Sequence, residues 1–162
     1  MPSQRAAYAS GTEVPASKSR TEIEHALERF GATGFSYGWM AERQVAQIEF
    51  LLGDRQMRFI LQLPDRSEAR LTHDGRGRRR TEAGMRAAYD GEVRRLWRSM
   101  LLVIKAKLEA VNSGILTVEQ EFLAHIVLPD GSVVGDWAAD QLKQVYGGGQ
   151  MPALLPGAAD RR

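Results

Sequence analysis

The sequence predicts an α+β fold, a three-stranded antiparallel sheet packed by helices in the order α-β-β-β-α-α-α. Three observations lead there. Between Phe35 and Leu63, apolar residues alternate with polar or small ones in three short runs separated by short connections. A helical spacing (Ile23, Ala26, Leu27, Phe30) precedes these runs, and a longer one (Val93 to Val111) follows them. At 162 residues, 43% hydrophobic and 26% charged, the chain has the length and composition of one globular domain.

The elements follow in order. Residues 1–17 are rich in Ser, Ala, Pro and Gly without apolar periodicity and read as a flexible N-terminal tail. Residues 18–146 read as a single α+β domain. Ser19 with Glu22 has the spacing of a capping box, so the first helix is expected over Arg20–Phe30, stopped by Gly31. The three strands centre on Phe35-Tyr37-Trp39, Ala46-Ile48-Phe50-Leu52 and Met57-Phe59-Leu61-Leu63, an antiparallel meander with one face buried. Pro64 ends the third, and 65–89 reads as a long Arg-rich loop.

Asp90 is placed to cap a long helix in which Val93, Leu96, Trp97, Met100, Leu101, Ile104, Leu108 and Val111 share a face. Leu102 and Val103 widen that face, which predicts burial on two sides, by the sheet and by a later helix or another subunit. Thr117 with Gln120 repeats the capping spacing ahead of Phe122, Leu123 and Ile126. Pro129-Asp130-Gly131 is a turn, and a last helix is expected over Asp136–Tyr146. Residues 147–162, with three consecutive glycines, Pro152 and Pro156, read as a C-terminal tail or as a docking arm built on the apolar Met151–Pro156 stretch. That stretch and the wide apolar arc of the long helix together predict a homo-oligomer.

Several chemistries lack their residues. Cysteine is absent, which excludes disulfides, cysteine-ligated metals and thiol nucleophiles. No glycine-framed nucleophile turn, Walker loop or dinucleotide fingerprint occurs. Glu121 and His125, at i and i+4, are too few ligands for a metal site and read as a helix surface pair. Glu49 is the single acid within a strand pattern and reads as a solvent-facing residue rather than part of a nuclease centre. The expectation is a non-enzymatic protein without cofactor or metal. No apolar run approaches the about 20 residues of a membrane span, so the expected location is the cytoplasm.

Charge supplies the functional lead. The formal net charge is only +2, yet Arg66 to Arg98 holds ten arginines against five acids. Arg76, Arg78, Arg79 and Arg80 lie in the expected loop; Arg94, Arg95 and Arg98 lie at the expected start of the long helix, where Lys105 continues the face of Arg94. Guanidinium forks bind phosphates bidentately, so this set predicts nucleic-acid binding, single-stranded or duplex, with slight sequence preference. Phe35, Tyr37 and Trp39 share one side of a strand; such a row stacks on bases when exposed and more often forms a core face. The alternative reading is a protein-binding modulator of a host or phage machine, with an apolar face around Trp137, Leu154 and Leu155.

The α-β-β-β-α order resembles that of double-stranded-RNA-binding domains and of single-strand-annealing proteins in topology, without their motifs. The chain also resembles a recurring group of small proteins encoded in phages and prophages. The residues concerned are Lys18-Ser19-Arg20 with Ile23-Glu24, Arg29-Phe30-Gly31-Ala32, Leu101 to Glu109, Glu121-Phe122-Leu123-Ala124, Leu128-Pro129-Asp130-Gly131 and Met151 to Gly157. The likeness covers most of the chain outside the Arg-rich loop. It implies a phage or mobile-element setting and no catalytic residues.

Overall fold

The structure, a computed structural model, describes residues 5–148, with side chains from Ala16 onward. The expected C-terminal arm at Met151–Pro156 lies outside the described residues. The fold is α+β. Helix α1 (Arg5–Phe30) leads into strands β1 (Gly34–Met40), β2 (Val45–Leu52) and β3 (Arg55–Gln62); a short α2 (Ala69–Thr72) precedes the long α3 (Glu82–Asn112). Helix α4 (Val118–Phe122) runs on into a 3-10 turn at Leu123–His125, and α5 (Val134–Tyr146) follows.

The sheet is the expected meander in the order β1-β2-β3, antiparallel throughout. Its register puts the core face in three cross-strand rows: Phe35 with Phe50 and Met57, Tyr37 with Ile48 and Phe59, Trp39 with Ala46 and Leu61. Period-two alternation then sends Ser36, Glu49 and Arg58 to the other face. There Arg58 Nε donates to Glu49 at 2.6 Å, Gln56 donates to the same carboxylate, and Arg58 Nη1 donates to the Gly131 carbonyl. Glu49 is therefore half of an ion pair that ties the sheet to the Pro129–Gly131 turn, rather than a solvent-facing acid.

Helix α3 covers the core face. Trp97 and Ile104 are buried, as are Ile48, Phe50, Met57, Phe59 and Phe122. The Trp97 and Tyr37 rings meet at 5.4 Å between centroids, and Phe122 stands edge-on to both Phe50 and Phe59. Helix α1 adds Ala16, Ile23, Ala26 and Leu27 to the same core and packs along α3. The row Phe35-Tyr37-Trp39 is half-buried against this core, so its rings belong to packing rather than to an open stacking platform.

Three expectations are corrected. Helix α1 begins at Arg5, so Ser19 and Glu22 lie within it rather than at its start, and residues 5–17 are helical instead of an irregular tail. Ala16 is fully buried and anchors that extension, overriding the breaker signals of Gly11 and Pro15. Helix α3 begins at Glu82, not at Asp90: the Thr81 hydroxyl accepts from the Gly84 amide and Tyr89 joins the core. The two-sided burial of α3 is supplied by the sheet and α1, while Leu102 and Val103 stay exposed.

Trp97→Ala removes the largest fully buried side chain. It should destabilise the fold by roughly 3–5 kcal/mol, the usual cost of such a truncation, as measured by urea unfolding.

Candidate phosphate-contacting surface

The expected Arg-rich loop is an ordered structure. Leu71 of α2 is buried, and the chain then turns back on itself between Thr72 and Arg80. The Arg80 amide donates to the Thr72 carbonyl and the Asp74 amide to the Arg78 carbonyl, each at 2.8 Å. At the tip, the Asp74 carboxylate accepts from the amides of Arg76 and Arg78, and Gly77 takes a φ of 75°. These bonds hold the Asp74 carboxyl below the usual carboxylate range, because its anionic form accepts them. The result is a small hairpin with Arg76, Arg78 and Arg79 exposed on it.

The candidate cations fall into two groups with different surroundings. Arg80 is half-buried and donates to the His73 carbonyl at 3.0 Å, so it braces the hairpin. Arg78 bridges to Asp74, Arg95 to Glu92 and Lys105 to Glu22. Arg76, Arg79, Arg94 and Arg98 are exposed and have no acidic partner among the described residues. Arg94 and Arg98 sit one turn apart on α3, with Lys105 further along toward α1.

The sequence placed Arg94 at the start of the long helix, and the structure moves that start back to Glu82. With α3 starting at Glu82, Arg94 lies twelve residues in, about 18 Å along the helix at the usual rise. The hairpin leads into α3 through the Thr81 cap, while α2 at its base is tied back to α3 at Glu92, next to Arg94 and Arg95.

Sequence reasoning missed the residues that fix this arrangement. Arg70 of α2 donates to Glu92 of α3 at 2.7 Å, and Glu92 also receives both Nε and Nη2 of Arg95. Hydrogen bonds from Arg95 and then Arg70 lower the Glu92 carboxyl to about 2. Arg66 lies over the buried Tyr89 ring, its guanidinium carbon 3.8 Å from the centroid. One available signal was Tyr89 itself, four residues before Val93 and eight before Trp97, which extends the apolar stripe backward.

The other motifs are absorbed by packing. Glu121 is held by Lys107 at 2.9 Å, and His125 stacks on Phe59 with ring centroids 3.8 Å apart. Burial, with the Lys107 charge second, pushes the His125 imidazole below its ordinary value. Among the described residues no three His, Asp or Glu side chains gather in a metal-binding cluster, and no helix is long and apolar enough to cross a membrane. Comparison with protein-family models, curated proteins and solved structures finds no match.

The Glu92 cluster carries a pH signature. A carboxyl depressed in the fold stabilises it above the unfolded value near 4.5, and the contribution is lost as pH falls toward 2. Glu92→Gln should therefore be less stable than the wild type at neutral pH. The gap should narrow between about pH 4.5 and 2, as followed by urea midpoints at each pH.

Proposed function

We propose that this protein is a non-enzymatic nucleic-acid-binding accessory of a phage or mobile element, contacting phosphates through the 72–80 hairpin and the outer face of α3. One observation supports this most: Arg76, Arg79, Arg94 and Arg98 are exposed without acidic partners among the described residues, as is Arg86 near the start of α3, while Arg70, Arg78 and Arg95 are paired. An unpaired guanidinium exchanges only water and counterions for a phosphate, whereas Arg70 or Arg95 must first give up Glu92. The hairpin also holds its arginines on a backbone already fixed by Asp74, so little ordering remains to oppose binding. Interactions of this kind read the backbone rather than base edges, which leaves sequence preference slight.

Arg78, Arg95 and Lys105 belong to the same surface in a secondary role, and Arg80 acts by positioning the hairpin. The second reading, a protein-binding modulator, has its own support in α5, where Trp137, Leu142 and Tyr146 are exposed. It requires no affinity for nucleic acid. Association into a homo-oligomer remains part of the proposal, with Leu102 and Val103 as the apolar residues a second copy would cover. A light-scattering mass of one 18.0 kDa chain at micromolar concentration would remove that part.

Gel-shift titration over salt, with single-stranded DNA, duplex DNA and duplex RNA, decides between the readings. Replacing Arg76, Arg79, Arg94 and Arg98 together by alanine should weaken binding about evenly across sequences. For duplex DNA it should flatten the salt dependence by roughly three to four in log–log slope, about 0.9 for each phosphate that is no longer neutralised. Arg70→Ala should leave the slope nearly unchanged. Wild-type protein with no salt-dependent shift on any of the three probes would overturn the proposal.

A further inference from the structure

Two cavities adjoin where the chain leaving β3 passes the start of α3. The larger, of about 330 Å³, is lined by Trp39, Leu63, Pro64, Asp65, Arg66 and Tyr89 among others, and the smaller, of about 260 Å³, by Glu82, Met85 and Arg86 with the same Arg66 and Tyr89. The stacked pair of Arg66 and Tyr89 is therefore a wall that the two spaces share. Tyr89 is buried, and its ring holds in place a guanidinium whose side chain is otherwise among the most mobile. In the larger cavity Leu63 and Pro64 are buried, Trp39 is half-buried, and Asp65 and Ser67 are exposed at the rim. The Asp65 carboxylate accepts from the Ser67 amide and hydroxyl, each at 2.8 Å, and these bonds hold its carboxyl below the usual range. Gln44 also lines this cavity, at a φ of 51°, the one left-handed φ outside glycine among the described residues, and its carbonyl accepts from the Leu63 amide at 2.7 Å. Backbone held in that region costs free energy and persists where the surroundings over-determine it, characteristically beside ligands.

An indole, a guanidinium plane, an apolar floor and a rim offering both donors and acceptors suit a nucleobase, which presents two π faces and a polar edge. The smaller cavity adds a place for a phosphate: the exposed Arg86 stands beside Arg66, two guanidiniums against the single carboxylate of Glu82. We propose that the two cavities together take one unpaired nucleotide, its base stacked on Arg66 in the larger and its phosphate held by Arg86 in the smaller. This rests on the nucleic-acid reading above and narrows it to a single strand, because a paired base is already stacked between its neighbours and cannot enter a cavity. Arg86 lies on α3 between the two points where the hairpin segment is attached, the Thr81 cap and the Arg70 bond to Glu92, so a strand lying across the hairpin arginines comes within its reach. Stacking tolerates every base, and Asp65, Ser67 and Gln44 supply donors and acceptors alike, so sequence preference stays slight.

The test compares a short single-stranded DNA of mixed sequence with the same strand made abasic throughout, which keeps the phosphates and removes the bases, and with free nucleoside 5′-monophosphates. At one salt concentration the intact strand should bind about tenfold more tightly than the abasic one, the order of factor that one stacked base contributes. Arg66→Leu keeps an apolar cover on Tyr89 without the guanidinium, and Ala41→Trp fills the larger cavity from an exposed turn position. Each should bring that ratio to near one while the far-ultraviolet circular dichroism stays that of the folded protein. Arg86→Ala should remove the preference of the wild type for a monophosphate over its nucleoside. Strands bound equally well with and without bases would overturn the nucleotide site while leaving the phosphate-contacting surface in place, as would a ratio that survives both cavity variants. No strand bound, but monophosphates bound and lost in Arg66→Leu, would keep the site, assign it to a free nucleotide and overturn the nucleic-acid reading instead. Binding of neither would overturn both.

Discussion

The sheet of this protein has one apolar face, and the fold depends on how Trp97 covers it. The indole lies at the centre of α3, meets Tyr37 from β1 and is fully buried together with Ile104. A three-stranded meander has a second layer only where helices supply it, so the aromatic and aliphatic rows of its inner face need a continuous cover to leave water. Helix α3 supplies the length and α1 completes the side that α3 leaves open. Phe122 then closes the end of the same face by standing edge-on to Phe50 and Phe59. The other features are anchored to this packing, including the hairpin, the charge network and the exposed α5.

The basic character of residues 66–98 has two physical origins that composition does not separate. Part of it is internal wiring: Glu92 gathers Arg70 and Arg95 and so pins α2 to α3, while Asp74 organises the hairpin and pairs with Arg78. Arg80 braces the hairpin and Arg66 covers Tyr89, while Arg76, Arg79, Arg86, Arg94 and Arg98 stand in solvent without acidic partners among the described residues. An arginine count therefore overstates the charge available to a partner. Exposed pairs such as Arg78–Asp74 contribute little to stability, and their main effect is to orient the side chains around them.

The strands were legible because alternation survives in the sequence wherever one sheet face is buried, and it is broken within the strands mainly where the apolar Leu51 and Ile60 face solvent. The capping box at Thr117 and Gln120 was legible for a similar reason, since it depends on two residues three apart, and both of its hydrogen bonds are present. The start of α3 was not. Its cap, Thr81, is followed at the third position by Gly84 instead of an acid or amide, and the first two turns carry only Met85, Ala88 and Tyr89 as apolar markers. Helix α2, at four residues, is too short to show any period. The candidate surface inherited these errors: the arginines were identified by type, while their spacing along α3 and their partners were not.

By itself the sequence determined the fold class, the strand order and the core face, because these follow from local periodicity and the burial it demands. It also determined that thiol chemistry is absent. Only the tertiary structure decided where α1 and α3 begin, which arginines are spent on Asp74 and Glu92, and that α5 packs on the Leu123–His125 turn with Trp137, Leu142 and Tyr146 left exposed. Each of those depends on pairings between residues far apart in the chain, such as Arg70 with Glu92, Arg58 with Gly131 and Gly135 with Ala124. Pairings of that kind leave no periodic trace in a single sequence, since either partner taken alone reads as an ordinary surface residue.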